Sequence, residues 1–246
     1  MSLYLSRLTI ARTPTTAALR ALIDPSPASE DSGFRDPARG RMMDAHHRLL
    51  WAVFADSPDR TRDFLWRAEG QGRFYVLSAR PPVADGAGLF EPPEIKTFDP
   101  DLRPDDRLAF VLRANATRAR IDPAAPEKRG RRVDVVMDLL YGLPSGRVSD
   151  ERRLARDAAA DMAGRRWLED RAGTAGFAVE QLAVTSYTVV PLPRHVGGRR
   201  QQPQFGVLDM MGEIRVVDPE VFMARIAEGF GRARAFGCGL MLIRRA

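Results

Sequence analysis

The sequence predicts an α+β protein made of two small units in tandem. Within each half, strand-like and helix-like stretches run in the order β-α-β-β-(α)-β, and a basic stretch joins the halves. A length of 246 residues suits two small domains or one large one, at roughly 100–200 residues per domain. Two ferredoxin-like (RRM-like) units are the architecture that this order favours. The expected boundaries are 1–118 and 119–246.

Leu3 to Ile10 alternates and ends β-branched, so it reads as a strand. Asp24 to Arg41 is rich in Pro, Ser, Asp and Gly and reads as a loop. Met42 to Phe54 has helical spacing, with Met43, His46, Leu50 and Val53 in one stripe. Arg62–Ala68 and Arg73–Arg80 are paired strands around Gly70-Gln71-Gly72, and Pro81–Pro93 is loop-like. Arg107–Asn115 reads as the strand that closes the first unit. Residues 119–135 are a basic connection, and Val135–Tyr141 is a short apolar run broken by Gly142–Gly146. Asp150–Arg171 is a long charged helix; Phe177–Val190 and Phe205–Val216 are strands flanking a basic hairpin tip, Arg194 to Arg200. Asp218-Pro219-Glu220 starts a helix: an aspartate cap, proline in the first helical position, an acid in the first turn. That helix stops at Gly229, and Leu240–Ile243 is the last strand.

The formal net charge is +6 and the isoelectric point about 10.2, which favours a polyanionic partner. Nearly all the positive charge is arginine, with Lys96 and Lys128 the sole lysines. Arginine suits bidentate phosphate recognition, although a GC-rich coding sequence produces the same bias. Its distribution is more telling. Arg113–Arg132 holds seven basic residues against Asp122 and Glu127, and Gly229 to the end holds four arginines and no acid. Cys238 alone excludes an internal disulfide and a cysteine-based metal cluster. No apolar run reaches membrane-span length and the N-terminus lacks a signal-peptide pattern, so a cytoplasmic protein is expected.

No spacing of histidine, cysteine or carboxylate points to a metal or other cofactor, and neither a phosphate-binding P-loop nor a G-x-S-x-G nucleophile motif is present. Of the three histidines, His46 falls in the apolar stripe and reads as a packed residue. His47 is offset by about 100°, one turn before Trp51 and three residues after Asp44. It is either an exposed polar residue or a general acid or base for metal-free RNA cleavage, in which the 2′-hydroxyl attacks the neighbouring phosphate. Gly229, Gly231, Gly237 and Gly239 with Arg232 and Arg234 form either a phosphate cradle or a tight connection with incidental arginines. Arg113 and Asn115, with Arg118 and Arg120 beyond, and the tip at Arg194, His195, Arg199 and Arg200 are further basic segments that suit an RNA backbone or a solvated face.

Read together, these residues resemble a known family: the CRISPR repeat-processing endoribonucleases of type I-E Cascade. Leu3–Arg12 looks like that family's first strand, Arg113-Ala114-Asn115 is similar to its arginine-alanine-asparagine signature, and Phe205–Ile214 with Val217-Asp218-Pro219 resembles its late strands and last helix. Gly229-Phe230-Gly231 through Gly237-Cys238-Gly239-Leu240 resembles its glycine-rich loop and is the most specific match. The resemblance implies two ferredoxin-like domains and binding of the CRISPR repeat stem-loop. It also implies metal-independent cleavage to a 2′,3′-cyclic phosphate and a 5′-hydroxyl, with the product retained among other Cascade subunits. The family's catalytic histidine maps to His47. Some relatives carry a tyrosine three positions earlier, where this chain has Asp44; a carboxylate there either raises the His47 pKa or orients its ring. The basic hairpin maps to Arg194–Arg200, and Lys128-Arg129 with Arg131-Arg132 resembles a basic segment after the first domain. A non-catalytic RNA-binding subunit that caps the guide RNA is the alternative, and a generic RNA-recognition fold with stacking aromatics a more distant one.

Overall fold

A computed structural model describes residues 2–12, 35–54, 61–83, 88–121, 130–141, 149–192 and 203–246. The described chain divides into two compact units, one of Met1–Asp101, Val189–Gln204 and Ala233–Leu240, the other of Leu102–Thr188, Phe205–Arg232 and Met241–Ala246.

The first unit contains β1 (Tyr4–Thr9), α1 (Pro37–Trp51), β2 (Phe64–Gly70), β3 (Arg73–Ser78) and β4 (Glu94–Thr97). Its sheet has the order β2-β3-β1-β4 with antiparallel neighbours, the ferredoxin-like arrangement. The β2–β3 turn needs the left-handed region at Gly70, Gln71 and Gly72, which explains the two glycines. Helix α1 begins earlier than its apolar stripe indicates. Asp36 caps it by accepting from the Arg39 amide at 2.9 Å, and Pro37 takes the first helical position. This is the same aspartate-proline start visible at residues 218–219. Gly40 cannot be replaced simply, because a Cβ there would lie 1.9 Å from the Pro191 carbonyl oxygen.

Leu8, Ile10, Leu50, Val53, Phe54, Phe64, Trp66, Phe74, Val76 and Phe90 form one core under α1, with Phe54 and Phe64 stacked at 4.4 Å. Burying each such side chain contributes about 1.5–3 kcal/mol, which holds the helix to the sheet. The fourth strand differs from expectation. It is Glu94–Thr97, four exposed residues without an apolar pattern, fixed by pairing with β1 and by the Arg7–Glu94 ion pair.

The second unit contains β5 (Arg107–Ala114), β6 (Thr117–Arg120), β7 (Arg131–Asp134), α2 (Val135–Leu140), α3 (Ser149–Ala172), most of β8 (Phe177–Pro191) and of β9 (Gln204–Val216), α4 (Pro219–Glu228) and β10 (Met241–Arg245). Its sheet order, β10-β5-β9-β8, repeats the ferredoxin-like pattern. Arg107–Ala114 is therefore not the closing strand of the first sheet but a central strand of the second, between β9 and β10. The basic connection expected at 119–135 forms the paired strands β6 and β7, and the run at Val135–Tyr141 becomes the short helix α2. Asp134 caps α2 through the Val136 and Met137 amides. Leu108, Phe110, Leu112, Leu168, Phe177, Ile214, Phe222 and Phe230 are buried here, with Phe177 edge-on to Phe222 at 5.4 Å.

Candidate active site

Helix α1 carries both histidines. His46, on the apolar stripe, is 4% exposed and packs edge-on against Trp66 and Phe74. His47 is half-buried beside it. One turn later Trp51 donates its indole Nε1–H to His47 Nε2 at 3.1 Å. That bond leaves the imidazole neutral with its proton on Nδ1, since Nε2 is accepting. Trp51 is itself anchored by its edge-on contact with Phe64 at 5.4 Å.

Asp44 pairs with Arg48 at 2.9 Å. Its effect on His47 is through space: it favours the imidazolium. Two stronger influences oppose it. Burial pushes the His47 pKa down first and the positive charge of Arg62 second, with Arg48 adding a smaller push in the same direction. The hydrogen-bond partner of the ring is Trp51.

The other wall of the site comes from far along the chain. A single 3-10 turn, Arg234–Phe236, brings the Phe236 ring to 6.1 Å from the His47 ring. Ala233 and Gly237 bracket this turn with φ of 52° and 72°. A Cβ on Gly237 would meet the Trp66 ring at 2.9 Å, so only glycine lets the turn sit down on the core. Burial lowers the Arg62 pKa, and the nearby Arg234 charge lowers it further. Arg62 thus lies within electrostatic reach of both His47 and Arg234, which are far apart in the sequence.

Other expected site residues lie in the second unit. Arg113 does not stand free: its guanidinium holds Asp209 at 2.7 Å, and Asp209 also accepts from the Ser186 hydroxyl. Asn115 is 5% exposed; its side-chain amide donates to the Gly206 carbonyl at 2.7 Å, and its own carbonyl accepts from the Arg232 amide at 3.2 Å. A Cβ on Gly231 would lie 2.7 Å from that same Asn115 carbonyl oxygen. Arg113 and Asn115 thus build the frame of the sheet and of Gly229–Arg232. Arg118 and Arg120 share Asp138, whereas Arg131 and Arg132 are exposed on β7 and no carboxylate pairs with them among the described residues. Lys128, Arg129, Arg194, His195, Arg199 and Arg200 lie outside the described residues. Among the described residues there is no group of three or more histidine, cysteine, aspartate or glutamate side chains placed to hold a metal ion. No helix there is long and apolar enough to cross a membrane.

The model of a family described as CRISPR associated protein matches residues 3–245, nearly the full chain. The chain belongs to that family. It is 24% identical over 200 residues to the CRISPR system Cascade subunit CasE of Escherichia coli K12, covering 79% of this chain and 88% of the relative. Among solved structures, a CRISPR endoribonuclease Cse3 bound to a 19-nucleotide RNA superposes over 99% of both chains with a TM-score of 0.64 and 23% identity. Thermus thermophilus Cse3 bound to an RNA representing a pre-cleavage complex gives 0.62 at 24% identity, over 99% of this chain and 100% of that one. The Cas6e protein of Escherichia coli K-12 gives 0.58 at 20% identity, over 99% and 100%. These likenesses establish the tandem ferredoxin-like fold.

The sequence set His47 one turn before Trp51 but gave no sign of two other neighbours. Trp51 was legible as the residue one turn on. Arg62 and Phe236 carry no local signal, because only the tertiary fold brings them to the histidine.

Proposed function

We propose that this chain is an endoribonuclease that binds the CRISPR repeat stem-loop and cuts precursor CRISPR RNA without metal. It stays on its product within Cascade, in the cytoplasm. The observation that carries the proposal is a half-buried, neutral histidine set among arginines, in a chain of the CRISPR associated protein family. The relatives support it: one is a Cascade subunit, and others are endoribonucleases with bound RNA.

In the proposed reaction His47 Nε2 takes the proton of a 2′-hydroxyl once RNA displaces the Trp51 indole. The 2′-oxygen forms a bond to the adjacent phosphorus, and the bond from phosphorus to the 5′-oxygen breaks. The imidazolium returns its proton to that 5′-oxygen. The products are a 2′,3′-cyclic phosphate and a 5′-hydroxyl, and no water is consumed. Lowering the His47 pKa keeps the base form populated at neutral pH. Arg131, Arg132, Arg232 and Arg234 hold the RNA backbone, together with Lys128, Arg129, Arg194, Arg199 and Arg200. A-form RNA hides its base edges in a deep, narrow groove, so these contacts read phosphates and shape.

A second reading, a non-catalytic subunit that caps the guide RNA, draws on Asp44. It stands in the tyrosine position of some relatives and is paired with Arg48. Incubating the chain with its repeat RNA in EDTA separates the two readings. A cyclic-phosphate product supports the nuclease; intact RNA in a stable complex supports the cap.

A further inference from the structure

The sheet of the first unit has a second face, away from helix α1, that no sequence motif singles out. Its central strands are β1 and β3. Leu8, Phe74 and Val76 point from them into the core, so alternation turns Arg7 and Tyr75 to the other side. The register sets Arg67, Tyr75, Arg7 and Glu94 opposite one another, in one row across all four strands.

Tyr75 stands partly exposed in the middle of that row. Arg7 donates to Glu94 at 3.0 Å through Nε and also hydrogen-bonds the Tyr75 hydroxyl. Beside the ring, Leu5, Arg7, Tyr75, Glu94 and Lys96 line an open cleft of about 330 Å³. That volume lies at the small end of ligand sites, which run from about 300 to 1,000 Å³. Glu94 already neutralises Arg7, so the cleft is not a trap for a bare anion. What it offers is an aromatic ring, an apolar floor at Leu5 and the ammonium of Lys96. Those groups match one nucleotide: a base for the ring and a phosphate for the lysine.

We propose that this cleft takes an unpaired nucleotide of the bound RNA, with its base stacked on Tyr75 and its phosphate at Lys96. The inference rests on the RNA-processing reading above. A duplex cannot fill the cleft, because its bases are stacked on one another and closed to a side-chain ring. The cleft lies across the sheet from α1 and His47, so the nucleotide belongs to an unpaired flank that passes round the sheet edge. The site therefore adds grip on the RNA beyond the stem and takes no part in the cut.

The test measures binding of wild type, Tyr75→Ala, Tyr75→Leu and Tyr75→Phe to two RNAs, the repeat stem-loop alone and the stem-loop with its unpaired flanks. Both carry 2′-deoxyribose at the nucleotide where the wild type cuts, so they stay intact. The wild type is expected to bind the flanked RNA more tightly. Tyr75→Ala and Tyr75→Leu are expected to lose about 5–100-fold in affinity for the flanked RNA, the range for removing one base–aromatic stack, and nothing for the stem-loop. Leucine keeps apolar bulk on the strand and guards against a folding defect. Tyr75→Phe keeps the ring and should bind both RNAs as the wild type does. Wild-type affinity of Tyr75→Ala for the flanked RNA, or equal losses on both RNAs, would overturn the stacking site. A wild-type chain that fails to bind the stem-loop would overturn the RNA-processing reading itself.

Discussion

Trp51 and His47 act as one unit, because the indole N–H hydrogen bond exists only while Nε2 is unprotonated. A hydrogen bond to the neutral form works with burial and Arg62 to hold the imidazole pKa below its usual 6.5. If His47 is the base, cleavage is fully active above that lowered pKa and falls as pH drops through it, so the acidic limb should lie below 6.5. Trp51→Phe removes the bond to the neutral form and should raise the pKa. Asp44→Asn removes a charge that favours the imidazolium and should lower it further. With only three histidines in the chain, NMR titration of the imidazole carbons reads these shifts directly. Unchanged titration in both variants would remove Trp51 and Asp44 from any role in tuning His47.

At the scale of the element, two glycines fix where the 229–239 segment goes. Gly237→Ala sets a side chain 2.9 Å from Trp66 in a left-handed residue. It should cost about 1–3 kcal/mol in urea unfolding and displace Phe236 from His47. Asn115→Ala orphans the Gly206 carbonyl and should cost about 1–3 kcal/mol, with RNA affinity falling only as far as the fold does. If Asn115→Ala instead weakens RNA binding in a fully stable protein, Asn115 contacts RNA directly. The glycine spacing was legible in the sequence, and the positive φ at Gly229, Gly231, Gly237 and Gly239 accounts for it. Gly231 is required by its close approach to the Asn115 carbonyl, and Gly237 by its approach to the Trp66 ring. Strand positions with strong alternation, such as β1 and β5, could be read directly. Which sheet β5 joined could not, because pairing is a long-range choice; β4 was hidden because an exposed four-residue edge strand has no buried face to leave a pattern.

For the whole molecule, the net charge of +6 predicts RNA binding that weakens with salt, each lost phosphate contact reducing the slope by about one. Changing Arg131 and Arg132 together to alanine should flatten the slope without slowing cleavage of bound RNA; an unchanged slope would take β7 out of the interface. Stability has its own pH limit. Burial raises the Tyr187 pKa, and the Asp134 charge that its hydroxyl contacts at 2.9 Å raises it further. A raised folded-state value stabilises below the unfolded tyrosine value of about 10, and the contribution is lost above it. Thermal unfolding should therefore show a drop above about pH 10 that Tyr187→Phe reduces.

The proposed division of labour is that His47 cuts the RNA which the rest of the chain holds. Repeat RNA is incubated with wild type and His47→Ala in EDTA, and the ends of the products and the affinity of each protein are measured. The wild type is expected to give a 2′,3′-cyclic phosphate and a 5′-hydroxyl, and His47→Ala near-normal binding without cleavage. Cleavage by His47→Ala at the wild-type rate, or a wild-type reaction that EDTA stops, would contradict it.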